Sequence, residues 1–175
     1  MKIGIDISQT AYERTGVANY LKQTLIKLIE QDKNNEFILF YSSLRKPFTG
    51  YDFANAKNVS LKQFKLPPSV LDLLWNKLHI MPIENFIGDV DIFITSDWTE
   101  PPTKRAKKAT ILYDLIVYKF PEETDQKIID TQKRKLAWVK KESDAIFCIS
   151  ESTKKDAVDI LGIEESRLYV TYPGN

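Results

Sequence analysis

The stretch that decides the fold is residues 2–30, which read KIGIDISQTAYERTGVANYLKQTLIKLIE. Its first part places isoleucine at every second position, which predicts a short β-strand with one apolar face. A polar loop follows and ends at Thr15-Gly16. From Val17 the apolar positions recur at helical spacing. The stretch therefore predicts a strand, a loop and a helix, which is the opening of a βα unit.

Gly16 stands where this helix begins, next to the carboxyl end of the predicted strand. The first N–H groups of a helix have no intrahelical partner, and they favour phosphate or another anion. The stretch lacks the glycine spacing of nucleotide-binding fingerprints and of P-loops. Gly16 is therefore open to two interpretations: a contact to phosphate, or a residue that supplies only a permissive backbone angle or a cap.

The composition describes one domain without a dominant charge. The chain has 175 residues with 43% hydrophobic content, which suits a single domain with a sizeable core. Its 25 basic and 24 acidic side chains leave a net charge of +1, so no overall field attracts nucleic acid. The only cysteine, Cys148, lies in an apolar run and is predicted to pack in the core. A lone cysteine excludes an internal disulfide and favours a reducing compartment, so we expect a cytoplasmic protein.

The rest of the chain alternates apolar strand patterns with amphipathic helix patterns. This alternation predicts an α/β domain in which helices cover both sides of a mostly parallel sheet. Ligands of such sheets bind at the carboxyl ends of the strands. The loops after Ile7, Ile94, Tyr113 and Ile149 are therefore expected to form one neighbourhood. Predicted strands lie at 36–42, 59–64, 91–95, 109–113, 145–149 and 168–172, and the later helices at about 68–78, 125–141 and 151–161.

Two basic segments are interpreted as solvent-exposed. The run Lys104–Lys108 is predicted to be a solvated connection. The helix over 125–141 is basic, and contact between this helix and an anionic membrane surface is a secondary hypothesis. The only histidine, His79, has no second histidine for a metal pair, so a structural or solvent-facing role is preferred. The cations that make this helix basic include Lys133, Arg134, Lys135, Lys140 and Lys141.

No hydrolytic triad or metal-binding constellation is present in the sequence. What remains is a set of carboxylates and hydroxyls at the predicted strand ends. These groups either bind a ligand or cap helices and fill turns, and for Ser150 with Glu151 capping is the favoured reading of the residues alone. The set is Asp6, Ser8, Asp97, Glu100, Asp114, Ser150 and Glu151.

Six motifs occur in a fixed order along the chain. They are IGIDI (3–7), RTGVANYL (14–21), DVDIFIT (89–95), ATILYDL (109–115) followed by FPE, DAIFCISESTKKD (144–156) and RLYVTYPGN (167–175). Together they resemble the N-terminal half of group 1 glycosyltransferases, also called glycosyltransferase family 4, over nearly the whole chain. The resemblance implies a GT-B architecture, in which two Rossmann-like domains face each other across a cleft. It also implies a metal-independent, retaining hexosyltransferase without a cofactor.

The resemblance also implies roles for particular residues. Gly16 would approach the phosphates of the donor. Tyr113 and Asp114 would occupy the catalytic position, although the family usually has histidine before this Asp-Leu pair. A tyrosine can donate a hydrogen bond there, but it cannot take up a proton at neutral pH as imidazole does. Ser150, Glu151 and Lys154 match the family's S-E-x-x-K segment at the cleft, and Asp97 is expected in the same cleft.

The resemblance assigns residues 1–175 to the acceptor-side domain and places the donor-binding domain beyond Asn175. The expected partners are a nucleotide sugar, a polysaccharide or lipid-linked acceptor and the missing C-terminal domain, with no nucleic acid. Because transfer needs both substrates fixed in one closed cleft, this chain alone is expected to be inactive. Contact with the inner face of the membrane stays a secondary hypothesis. The alternative is a non-catalytic Rossmann-like module that binds a nucleotide or sugar or scaffolds a partner.

Overall fold

The computed structural model describes residues 1–12, 14–49 and 56–173, and within them a single parallel sheet organises the chain. The order of the strands across the sheet is β3-β2-β1-β4-β5-β6-β7, and every neighbouring pair is parallel. The predicted α/β class with a parallel sheet is therefore confirmed. The strands are β1 (Lys2–Asp6), β2 (Glu36–Ser42), β3 (Val59–Phe64), β4 (Ile92–Thr95), β5 (Lys107–Leu112), β6 (Ala145–Cys148) and β7 (Leu168–Val170).

The helices connect these strands as crossovers. The two long ones, α1 and α5, begin where the sequence indicates, because Thr15 and Asp125 cap their first turns with side-chain oxygens. The predicted helix at about 68–78 is an α-turn that continues as a π-helix, and two short helices, α3 and α4, were not predicted. The helices are α1 (Gly16–Gln31), α2 (Pro68–Leu71) with the π-helix (Asp72–Lys77), α3 (Glu84–Ile87), α4 (Ile116–Lys119), α5 (Gln126–Glu142) and α6 (Glu151–Asp159).

Both faces of the sheet are buried, as a three-layer Rossmann-like fold requires. On one face, Leu39 of β2 packs in a cluster with Leu25 of α1. On the other face, the next residue, Phe40, lies 5.4 Å from the ring of Trp75 in the π-helix. Successive residues of a strand point to opposite faces, so β2 carries apolar side chains on both of its faces. Each side chain of this size that is fully buried contributes about 1.5–3 kcal/mol to the free energy of folding.

Cys148 lies in the third cluster of the core, between β6 and the helices α5 and α6. Its side chain has no exposed surface. Burial raises the pKa of the thiol to about 11, because the thiolate is poorly solvated there. The prediction that Cys148 packs in the core is confirmed.

The prediction that Lys104–Lys108 is a solvated connection is wrong at its end. β5 already begins at Lys107, and Lys108 is only 3% exposed. The Lys108 ammonium lies 3.1 Å from the carboxylate of Glu100 and 3.0 Å from that of Glu142. A buried cation is tolerated when opposite charges surround it in this way. None of the helices in the described ranges is long and apolar enough to cross a bilayer.

Candidate functional site

Successive strands are added on one side of β1 up to β3, and from β4 onward they are added on the other side. In open parallel sheets such a switch point opens a crevice at the carboxyl ends of the two strands. The residues that follow β1, β4 and β5 lie at this edge, and they include most of the side chains that sequence analysis selected.

Two depressions open at this edge of the sheet, and we call them together the crevice. The larger, about 400 Å³, lies beside the end of β1 and is lined by Asp6, Tyr12 and Pro67 among others. The smaller, about 270 Å³, lies beside the end of β5 and is lined by Asp97, Tyr113, Asp114, Val17 and Ile128 among others. Trp98 lines both. Trp98 is therefore shared by the two depressions, and each of them also has a carboxylate in its lining.

Asp6 lines the larger depression and Asp97 the smaller one. Asp6 is 3% exposed and accepts a hydrogen bond of 2.9 Å from the backbone N–H of Ser8. Asp97 accepts one of 3.1 Å from the amide of Gln132. Burial raises the pKa of both carboxyls, although Lys135 acts in the opposite direction on each. The crevice thus holds two carboxyl groups that the protein environment makes harder to ionise.

Lys135 is the group that sequence analysis placed wrongly. It was expected on the exposed basic side of α5, but it is 2% exposed and lines the smaller depression. Its ammonium donates to the carbonyl of Ser96 at 2.5 Å and to the hydroxyl of Thr110 at 3.2 Å. The helical spacing contained a signal, because Lys135 follows Ile128 by two turns and precedes Val139 by one. It therefore lies on the apolar stripe and not opposite to it.

Tyr113 directly follows β5 and is 7% exposed. Its hydroxyl lies 3.1 Å from the hydroxyl of Ser96, and its ring meets the ring of Tyr20 edge to face at 5.6 Å. Burial is the main reason that the pKa of Tyr113 is raised well above its usual value. The phenol is thus neutral at physiological pH, so it can donate a hydrogen bond but cannot act as a base.

Asp114, the second predicted catalytic residue, is exposed. Its carboxylate accepts a hydrogen bond of 3.0 Å from the N–H of Ile116 and so closes a turn just before α4. Its negative charge also contributes to the raised pKa of Asp97. Asp114 therefore lies close enough to the crevice to act on a bound group, while it has a structural role in the free protein.

Gly16 begins α1, beside Val17 at the mouth of the smaller depression. Its φ lies outside the left-handed region, and Thr15 provides the cap, so neither backbone angle nor capping requires glycine here. A Cβ atom at Gly16 would meet no other atom within 4 Å. Among the described residues, neither backbone angle nor packing thus explains a glycine at this position, and both interpretations of Gly16 stay predictions.

Ser150 caps α6, as the residues alone favoured, because its hydroxyl accepts a hydrogen bond of 3.1 Å from the N–H of Thr153. The Thr153 hydroxyl in turn donates to the carbonyl of Tyr113 at 3.1 Å, so Ser150 and Tyr113 lie at the same edge. Glu151 is exposed in the first turn. Lys154 forms an ion pair of 2.9 Å with Glu165. None of the three predicted cleft residues of this segment, Ser150, Glu151 and Lys154, is among the residues that line the two depressions.

The site shows no metal-binding geometry in the described ranges, where no group of three or more histidine, cysteine, aspartate or glutamate residues could hold an ion. The comparisons with known proteins add no identity. No protein-family model matches this chain, and no curated protein matches it. The function therefore has to be argued from the crevice itself.

Proposed function

We propose that the crevice binds the acceptor of a sugar-transfer reaction and that this chain is the acceptor-side domain of a retaining glycosyltransferase. The observation that carries the proposal is that Trp98 is shared by the two depressions, with Asp6 in the lining of one and Asp97 in the lining of the other. Carboxylates accept hydrogen bonds from sugar hydroxyls. An indole offers a flat apolar face to the C–H groups of a pyranose ring. The crevice therefore combines the two kinds of contact that a glycan needs.

A second line of support comes from the start of α1. Ala18 and Asn19 donate their N–H groups to Thr15, and Val17 lines the smaller depression, so the N–H groups of the first two residues of α1 are the ones that a ligand there would meet. No described atom lies within 4 Å of a Cβ atom added at Gly16. In the proposal these N–H groups meet the phosphates of a nucleotide sugar, while the nucleotide itself is bound by a second domain. This division agrees with the motif order that resembles group 1 glycosyltransferases.

The position of Tyr113 limits its role in this proposal. Its hydroxyl forms a hydrogen bond with the hydroxyl of Ser96, and its carbonyl accepts one from Thr153. These contacts hold Tyr113 in the lining of the smaller depression. A neutral phenol at this place orients a hydroxyl group of the acceptor or donor without exchanging a proton. The proposal therefore assigns proton-accepting contacts to Asp97 and Asp114, and positioning to Tyr113.

The experiment is a titration of the protein with alkyl glycosides, monitored by tryptophan fluorescence and by saturation-transfer NMR. Of the three tryptophans, Trp75 has no exposed surface and Trp138 stacks on His79, so a change at the crevice is reported by Trp98. We expect Kd values on the order of 1 mM, which is typical of weak single-sugar contacts. Trp98→Phe and Asp97→Asn should each weaken binding, and Asp159→Asn, an exposed carboxylate on α6, is the matched control.

Nucleotide sugars provide the contrasting arm. UDP-, GDP- and ADP-glucose should bind weakly and should not be transferred to a glycoside by this chain alone, because half of a cleft cannot fix the donor. Tight nucleotide binding without glycoside binding would instead identify a nucleotide-binding module. Absence of both would contradict the proposal. In the source gene, the proposal expects the reading frame to continue past Asn175 into a second βα domain.

A further inference from the structure

An apolar patch lies along the π-helix and just after its end. It consists of the side chains of Leu73, Leu78, Ile80 and Met81, which we call the 73–81 patch. These side chains are 45%, 54%, 47% and 43% exposed, respectively. Single exposed apolar residues are common on soluble proteins, but four large ones within nine positions are a feature that calls for a partner.

The backbone holds the 73–81 patch in a fixed shape. The N–H of Leu78 donates to the carbonyl of Leu73 at 2.9 Å, so these residues lie one π-turn apart on the same side. The indole N–H of Trp75 donates to the carbonyl of Met81 at 3.0 Å. His79 and Met81 have backbone φ values of +50° and +60°, which residues other than glycine rarely adopt. The apolar side chains are thus presented outward by a structured turn.

Cations surround the patch. Lys77 directly precedes Leu78 in the sequence, and its side chain is half exposed. Lys141 of α5 has its ammonium 4.7 Å from the ring centre of Trp138, and that ring stacks on His79 at 3.6 Å. Arg105 lines a shallow depression together with Glu142, whose carboxylate contacts His79 at 3.0 Å. The patch therefore has a basic rim.

Two carboxylates near this rim are paired with cations, and a third, Glu84, accepts hydrogen bonds from backbone N–H groups that include that of Arg105. Asp72 lies 2.9 Å from the guanidinium of Arg134. Glu142 lies 3.0 Å from the ammonium of Lys108 as well as from His79. The ammonium of Lys77 lies 3.9 Å from the same Asp72 oxygen, so two cations share this one carboxylate. With Lys141 and Arg105 added, cations outnumber these two carboxylates around the patch.

We propose that the 73–81 patch, with Lys77 and Lys141, docks this protein onto an anionic lipid surface. Apolar side chains that enter the interface, with basic side chains at the headgroups and an aromatic ring between them, are the combination that binds such surfaces. A second copy of this chain fits less well, because it would bring two basic rims together. The patch lies near the start of β5 and the end of α5, at the sheet edge opposite the crevice, so docking leaves the crevice free.

This proposal replaces the hypothesis that α5 as a whole contacts a membrane. Lys135 is buried, Arg134 is paired with Asp72, and Lys133 lies 5.2 Å from the ring centre of Tyr118. The part of α5 that takes part in the proposed contact is its last turn, through Lys141. The contact is therefore local, and it combines one turn of a helix with the residues that follow the π-helix.

The experiment is co-sedimentation of the full chain with phosphatidylcholine vesicles that contain or lack phosphatidylglycerol, at low and at high salt. We expect binding only to the anionic vesicles, and binding should decrease at high salt. Leu78→Ser with Ile80→Ser should reduce the partition coefficient roughly tenfold or more, because apolar surface no longer enters the interface. Lys77→Gln with Lys141→Gln should reduce it by a similar factor.

Matched controls exist for both pairs. Val158→Ser with Ile160→Ser changes two apolar side chains of similar exposure, 37% and 39%, on a different surface. Lys133→Gln removes another lysine of α5 that also lies over an aromatic ring. Both controls should bind like the unchanged protein, and circular dichroism checks that every variant is folded.

Three results would overturn the proposal. The first is the same affinity for vesicles with and without phosphatidylglycerol, or no binding to either. The second is equal loss of binding in the control variants. The third is a dimer in sedimentation velocity that the change at Leu78 and Ile80 dissociates, because the patch would then be an interface between copies of this chain.

Discussion

Replacement of the buried Lys135 by methionine tests the electrostatic account of the crevice most directly. Methionine keeps most of the length of the side chain and removes the ammonium. The change deletes the hydrogen bonds to Ser96 and Thr110, and it removes the positive charge that acts on Glu100, Asp97 and Asp6. Loss of one partner from a buried charge pair costs about 3–5 kcal/mol. The methionine regains part of this because no ammonium has to be desolvated, so we expect a net loss of about 2–4 kcal/mol at pH 7.

The pH dependence of this loss follows from Asp6 and Asp97. Their pKa values are raised in the folded protein from the ordinary 3.8. Between the unfolded and the folded pKa the folded protein binds more protons, so its stability falls as pH rises through that window. Without Lys135 both pKa values rise further and the window widens. Lys135→Met should therefore lose more stability at pH 7 than at pH 5.

Urea denaturation at both pH values measures this difference. Lys133→Met, two positions away on the same helix, is the control, and it should change the free energy of unfolding by no more than about 0.5 kcal/mol. The reasoning is refuted if Lys135→Met is as stable as the unchanged protein at pH 7. It is also refuted if the loss is the same at both pH values, because Asp6 and Asp97 would then not sense the lysine.

Three further substitutions or reactions test the fold. Ser150→Ala removes the cap of α6 and should cost about 1 kcal/mol in urea denaturation, whereas an unchanged midpoint would contradict the capping role. Gly4→Ala would place a Cβ atom 2.8 Å from the side chains of Ile87 and Phe93, both buried, and should cost about 1–3 kcal/mol; a stabilised variant would show that this part of the core has free space. Cys148, with a pKa of about 11, should react with iodoacetamide only after unfolding, and rapid labelling of the folded protein would contradict its burial.

Local patterns were sufficient to predict the sheet. The apolar run of β2 predicted a strand buried on both faces, and the spacing after Gly16 predicted α1. Both signals depend on residues close in sequence, where periodicity reports directly on the face that is buried. The capping role of Ser150 was predictable for the same reason, since the hydrogen-bond partner is three residues away.

The buried charges were not predictable from local pattern, because their partners are distant in sequence. Lys135 donates to Ser96, 39 residues earlier, and Lys108 meets Glu142, 34 residues later. Without knowledge of these partners, a lysine is assigned to solvent, where most lysines lie. Gly16 illustrates the same limit in reverse. Its sequence position suggested a turn. The structure shows that its φ is outside the left-handed region and that no described atom lies within 4 Å of an added Cβ, so the local conformation does not require glycine.

The interior charges alternate in sign between the two edges of the sheet. Lys135 lies beneath the crevice, Glu100 and Lys108 follow at 3.1 Å from each other, and Glu142 bridges Lys108 to His79 beside the 73–81 patch. Each buried charge lies near one of opposite sign, so the cost of desolvation is offset along the whole series. Residues that share such a network do not contribute independently. The Ser96 carbonyl accepts a hydrogen bond from Lys135, and Lys135 belongs to the charge network that extends to the opposite edge of the sheet. The position of this carbonyl therefore depends on charges that no ligand in the crevice would touch.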